Sequence, residues 1–122
     1  MLDHIKLFVS DVDRSRAFYA LAFQPLGYSV LLEPAPGVVG MGRDFPTFWL
    51  AKAEGAPTTA HVAVRADSRS VVDEFHSAAL AAGGIDNGAP GPRPQYHPSY
   101  YGAFVHDPDG NNIEAVCHDP PG

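Results

Sequence analysis

Three side chains stand out for the chemistry they could do together: His4, His61 and Glu114. Two imidazoles and a carboxylate are the donor types of a 2-His-1-carboxylate site with open positions, suited to Fe, Mn, Ni, Co or Zn. An ion held that way can bind oxygen atoms of a small substrate directly. The three residues lie far apart along the chain, so regular elements must carry them to one place. His4 and His61 each open a stretch that aligns with the other without a gap: His4 falls on His61, Ile5 on Val62, Leu7 on Val64 and Phe18 on Phe75. Self-similarity at this fixed offset of 57 residues marks a duplicated supersecondary unit. A single His at the start of a strand is usually a surface or hydrogen-bonded residue; the matched pair with a carboxylate is what supports the metal reading.

The elements that must position these residues follow from periodicity and punctuation. Residues 4–9 read as a strand, and residues 12–23 as a helix with Phe18, Leu21 and Ala22 at helical spacing and Ser10 or Asp11 as cap. Pro25 and Gly27 break that helix. Strands are expected at 28–32, 38–42 and 47–52, and a linker at 53–57. The second half repeats the plan: a strand at 61–66, then a helix whose apolar stripe is Val71, Val72, Phe75, Ala78, Ala79 and Ala82, ended by Gly83-Gly84. A long loop is expected over 86–98, followed by strands at 100–106 and 112–118. Asp107-Pro108-Asp109-Gly110 joins these last two as a tight turn, with both acids serving turn geometry. The fold class is α+β, two βαβββ modules at 1–54 and 58–118 within one domain spanning 1–122, the middle strand of the second module being weakly specified.

Strand parity sorts the side chains. Ile5, Leu7 and Val9 share a face suited to packing on a helix, while His4, Lys6 and Phe8 share the other. Val62 and Val64 pack, while His61, Ala63 and Arg65 face away. Ile113 and Ala115 pack, while Glu114 faces away. His4, His61 and Glu114 can thus all occupy the face opposite the helices.

Bulk properties narrow the partners. At 122 residues, with 45% hydrophobic and 18% charged content, the chain suits a globular protein. Its net charge of -6 argues against nucleic acid and anionic membranes as partners. There is no long apolar run for a membrane span and no signal-peptide pattern at the start. The single cysteine, Cys117, fits a reducing cytoplasm and a buried hydrophobic role.

Further candidates carry two readings each. Lys6 and Arg65 could hold a substrate carboxylate or reach solvent at the sheet edge. Trp49 could stack on a substrate or pack in the core. Among Tyr96, His97, Tyr100 and Tyr101 at the end of the long loop, His97 and Tyr101 are the candidates for a general acid or base; Tyr96 and Tyr100 read as packed anchors. His76, His106 and His118 carry no assigned role.

The chain resembles the vicinal oxygen chelate superfamily, which includes glyoxalase I, bleomycin resistance proteins, fosfomycin resistance enzymes and extradiol dioxygenases. The residues that carry the resemblance are Leu2-Asp3-His4-Ile5 with Ser10-Asp11 and Phe18-Tyr19, then Ala60-His61-Val62-Ala63, and above all Ala103-Phe104-Val105-His106-Asp107-Pro108-Asp109-Gly110-Asn111-Asn112-Ile113-Glu114-Ala115. It implies paired βαβββ modules in a curved sheet around a metal, with ligands from the first and last strand of each module, often across a homodimer. By that pattern His4, His61 and Glu114 are ligands. Matching Asp44–Trp49 to Asp109–Glu114 puts Trp49, which cannot ligate, at the fourth position. Members of the glyoxalase I type usually carry a carboxylate there, so ordinary glyoxalase I chemistry is not expected. The resemblance implies a metal-dependent enzyme of lyase or isomerase type acting on vicinal oxygens of a small molecule. The alternatives are an extradiol-type dioxygenase and a metal-free binding protein.

Overall fold

The computed structural model describes residues 1–121. Its elements are β1 (Ile5–Val9), α1 (Val12–Ala22), β2 (Ser29–Ala35), β3 (Val38–Gly42), β4 (Phe48–Lys52), β5 (His61–Arg65), α2 (Arg69–Ala81), β6 (Ile85–Pro92), β7 (Tyr101–His106) and β8 (Asn112–Cys117). They form two four-stranded sheets of the same plan, ordered β1-β4-β3-β2 and β5-β8-β7-β6. In each, the first strand runs parallel to the last and the other pairings are antiparallel. The two βαβββ modules are therefore present, and the sheets do not close into a barrel.

Both helices start where a side chain caps the backbone. The Asp11 carboxylate accepts from the Arg14 N–H at 3.1 Å, and the Ser68 hydroxyl accepts from the Val71 N–H at 3.3 Å. Helix α1 stops at Phe23, where a 3-10 turn over Gln24–Leu26 holds Pro25 and ends on Gly27 at φ 83°. Each helix buries one stripe: Phe18, Tyr19 and Ala22 on α1; Val72, Phe75 and Ala79 on α2. These stripes meet the inward-facing residues Leu7, Val9, Leu50, Val105, Ile113 and Ala115 in one shared core. Phe23 and Phe75 bridge the modules there, with ring centroids 6.2 Å apart. Burying a ring of this size contributes about 2–3 kcal/mol.

One expected element differs. Much of the loop expected over 86–98 is strand β6, antiparallel to β7. Its Gly- and Pro-rich sequence reads as loop, but β6 is the edge of its sheet, where Pro is tolerated. The register shifts between Asp86 and Gly88 and again between Gly88 and Gly91 absorb the irregular residues. The true connection is short, from Arg93 to Tyr100.

The Asp107–Asn111 turn does more than reverse the chain. Asp107 is buried, and its Oδ1 accepts from the Asp109 N–H at 2.9 Å and the Asn111 N–H at 2.8 Å. Its Oδ2 accepts from the Asn111 amide at 2.9 Å and from the Tyr19 hydroxyl on α1. Asn111 Oδ1 in turn accepts from the Ala60 N–H at 2.8 Å, just ahead of β5. The turn thus ties the second module to the helix of the first. Burial, and then the Asp107 charge, push the Tyr19 phenol well above its ordinary range.

Candidate functional site

Ladder register explains how His61 and Glu114 meet. Strands β5 and β8 are parallel neighbours with Ala63 opposite Glu114 and His61 opposite Asn112. Side chains two apart share a face, so His61 lies diagonally across from Glu114 on the side away from α2. His61 Nε2 lies 2.8 Å from Glu114 Oε1. Glu114 is 1% exposed, while the His61 side chain is half exposed. The second carboxylate oxygen of Glu114 accepts from the Tyr100 hydroxyl. A buried carboxylate needs such partners. Burial, then the hydrogen bond to Glu114 and its charge, push the Tyr100 phenol up, so it remains a donor at neutral pH. Gly102 leaves room for this pair: a Cβ there would sit 3.2 Å from the Tyr100 ring and 3.3 Å from Glu114 Oε2.

His61, Glu114, Tyr96, Tyr100 and Phe104 line one cavity of about 370 Å³. The walls are aromatic and the floor is the His–carboxylate pair. Tyr96 and Tyr100 meet edge to face at 4.9 Å, and the Arg93 guanidinium carbon lies 5.4 Å from the centroid of the Phe104 ring.

The equivalent face of the first module is different. Register makes Lys6 the partner of Trp49 in β1 and β4, as Ala63 is of Glu114 in β5 and β8, so Trp49 occupies the position of Glu114. His4, Lys6 and Trp49 line a separate depression of about 500 Å³ with Phe45 and Pro46. His4 is half exposed and its Nδ1 lies 2.6 Å from Asp3 Oδ1. The Trp49 ring lies over Gly40, where a Cβ would come within 2.8 Å of it. Arg65 lines a third groove, beside Tyr28, Ala63 and His4.

The structure therefore brings His61 and Glu114 together and leaves His4 in another depression of the same chain. Among the described residues no three His, Cys, Asp or Glu side chains group as a metal site. A divalent cation fits this pair in part: an imidazole and a carboxylate are suitable donor types, but here they bond to each other and no third such donor joins them among the described residues. His97 bonds to His118 instead of facing the pair, with Nε2 and Nδ1 2.7 Å apart. Tyr101 points to the helix side, where its hydroxyl donates to Asp73 Oδ1 at 2.7 Å beneath the Arg69 guanidinium. That hydrogen bond to Asp73 raises its phenol as well. The tyrosine on the cavity side is Tyr100. The signal that separates the two is parity: Tyr101 pairs with Cys117 in the ladder, and residues on that face turn away from Glu114. With β7 beginning at Tyr101, its predecessor falls in the loop and turns inward.

The whole chain has close relatives in shape. It resembles a glyoxalase/bleomycin resistance protein from Albidiferax ferrireducens T118, at 28% identity and TM-score 0.82, over 94% of this chain and 97% of that one. It shares its fold with a lactoylglutathione lyase from Agrobacterium tumefaciens, at 21% identity and TM-score 0.71, over 96% and 92%. TioX from Micromonospora sp. ML1 is similar at 19% identity and TM-score 0.75, over 98% and 99%. A comparison of the sequence with curated proteins finds no match. A family profile matches residues 1–115, and the chain belongs to the Glyoxalase/Bleomycin resistance protein/Dioxygenase superfamily.

Proposed function

We propose that this protein is a glyoxalase-like, metal-dependent enzyme of lyase or isomerase type that binds vicinal oxygens of a small substrate. His61 and Glu114 would hold the ion, with His4 contributed by a second copy of the chain in a homodimer of the cytoplasm. The single observation that carries the reading is the convergence of His61 Nε2 and Glu114 Oε1, 2.8 Å apart, on the floor of an aromatic-walled cavity. The separation of the His4 depression from that cavity supports a shared site. A symmetric dimer can lay the first module of one copy against the second module of the other. When bound, the ion supplies a Lewis acid that steadies an enolate or similar anion.

The chain's own residues do the rest. Tyr100 holds a proton beside Glu114 and orients the carboxylate. When Glu114 turns toward a ligand, Tyr100 becomes free to donate to a substrate oxygen, which is the acid role expected at first of His97 or Tyr101. Phe104 and Tyr96 exclude water from the ligand's flat faces. Lys6 and Trp49 of the second copy would close the cavity, Lys6 against a substrate anion and Trp49 against an apolar or aromatic body. Arg65 lies farther off and would act only on a substrate long enough to reach its groove. Trp49 in place of a carboxylate argues against ordinary glyoxalase I proton transfer.

A second reading, metal-free small-molecule binding, is favoured by the satisfied state of Glu114. Both its oxygens already have partners within the chain. Calorimetric titration with Mn, Fe, Ni, Co and Zn separates the two. The metal reading expects uptake by the intact protein and its loss in His61→Ala, Glu114→Ala and His4→Ala. Mixing His4→Ala with Glu114→Ala chains should restore about a quarter of the sites if each is shared between two copies. No uptake of any of these ions would sink the enzyme reading and leave the binding one. Oxygen consumption with catechols would instead mark a dioxygenase.

A further inference from the structure

Behind the cavity lie two imidazoles that the reading above does not use. His97 sits in the connection between β6 and β7, and His118 just past β8. Their rings stack at 5.0 Å with 29° between planes, and His97 Nε2 is 2.7 Å from His118 Nδ1. The Ser99 N–H donates to His97 Nδ1 at 3.0 Å. A ring nitrogen that accepts a backbone proton carries none of its own, so His97 holds its proton on Nε2 and donates it to His118. His118 therefore accepts on Nδ1 and carries its own proton on Nε2. The backbone thus assigns both tautomers, and both rings are neutral in this arrangement.

A proton added to either ring removes a bond. On His97 it would face the Ser99 N–H. On His118 it would set two N–H groups head to head, with a charge between stacked rings. The pair also supports Tyr100, whose ring meets His97 edge-on at 5.3 Å and His118 at 5.4 Å, and whose N–H donates to the His97 carbonyl at 3.1 Å. Tyr100 in turn donates to Glu114.

We propose that His97 and His118 form a proton-sensitive clasp that positions Tyr100 on Glu114. The connection carrying Tyr96 and Tyr100 is fastened to the end of β8 while both imidazoles are neutral, and it is released when either gains a proton. Both are positioning residues. The titratable group in contact with both is Tyr100; Arg93 and Tyr96 share the connection with His97, and Asp119 follows His118 along the chain. Tyr101 on β7 faces Asp73 instead. The inference uses the cavity of the proposed function but stands without a metal.

The test is nitrogen NMR of the imidazoles with amide hydrogen exchange at Ser99, followed over a pH series of about 5–8. At the upper end both rings should be Nε2–H tautomers. Toward the lower end, Ser99 exchange relative to an amide in β7 should rise by about tenfold, in step with ring protonation. His118→Phe keeps the stacked ring but removes the acceptor. It should leave the fold intact by circular dichroism, with relative exchange at Ser99 fast and flat with pH. An Nδ1–H tautomer at His97, or a Ser99 profile unchanged by His118→Phe, would overturn the clasp. His61→Ala should abolish metal uptake and leave the Ser99 profile alone, so failure of the clasp and failure of the metal site are read separately.

Discussion

The two modules share strand order, register and a histidine at the same position, yet only the second assembles a connected polar site. In the first, β2 and β3 are joined by the tight turn at Pro36-Gly37, which delivers no side chain to the inner face. In the second, the equivalent connection runs from Arg93 to Tyr100 and returns Tyr96 and Tyr100 over the sheet. In the first, β4 offers Trp49 above Gly40; in the second, β8 offers Glu114 at the same register position. Duplication thus supplies a frame, and one connection and one residue decide which copy carries the His61–Glu114–Tyr100 cluster.

The turns before β4 and β8 give the largest contrast. Asp107→Ala should leave the Asp109 and Asn111 N–H groups and the Tyr19 hydroxyl without their buried acceptor, lowering stability by about 3 kcal/mol or more in chemical denaturation. Asp44→Ala, on the exposed turn of the first module, should stay within about 0.5 kcal/mol. Equal losses would show that the modules are not tied together through the second turn.

Next comes the inner face. Glu114→Gln should weaken divalent metal binding by about 100-fold or more in calorimetry, since removal of even an outer partner costs 10–100-fold. Trp49→Phe should change it by no more than a few fold. The reverse order would place the working face on the first module.

Alkaline titration sharpens the role of Tyr100. Its phenol, with those of Tyr19 and Tyr101, is raised, so the folded state holds these protons more tightly than the unfolded one. Their contribution to stability is present below the ordinary tyrosine value of about 10 and is lost as pH rises through the raised values. Ultraviolet difference titration should show these three ionising late, and Tyr100→Phe should remove one late component.

The smallest effect concerns how each helix is tied to its edge strand. Arg16 Nε bonds Glu33 at 2.7 Å in the first module, and His76 Nε2 lies 2.9 Å from Asp86 in the second. The hydrogen bond from His76, with the Gly88 N–H, lowers the Asp86 carboxyl. Its contribution is therefore present above the ordinary Asp value and lost as pH falls through the lowered one. Carboxyl chemical shifts should place Asp86 below an unpaired aspartate, and His76→Ala should return it upward. No return would remove the tie.

Much of this was legible in the sequence because duplication and period-2 alternation are local signals. His4 against His61 gave the repeat, and Ile5, Leu7 and Val9 gave the face of β1. Trp49 matched Glu114 from the turn residues alone. Strand β6 was legible only as a weakly specified third strand without bounds, since edge pairing with β7 overrides a composition that reads as loop. The choice of Tyr100 over Tyr101 was legible in principle, because the hairpin register fixes which of the two shares the face of Glu114; that Tyr100 reaches the carboxylate depends on the fold of the connection. Asp107 reads as a turn former, and its bond to Tyr19 depends on two segments that are distant in sequence.

By itself the sequence determined the two modules, their inner and outer faces, and the donor types available to each, since these depend on side-chain identity and backbone periodicity. The tertiary structure decided which donors meet. Burial of Glu114 demands partners for both its oxygens, and only the packing of β5 and of the Arg93–Tyr100 connection against β8 brings His61 and Tyr100 close enough to supply them.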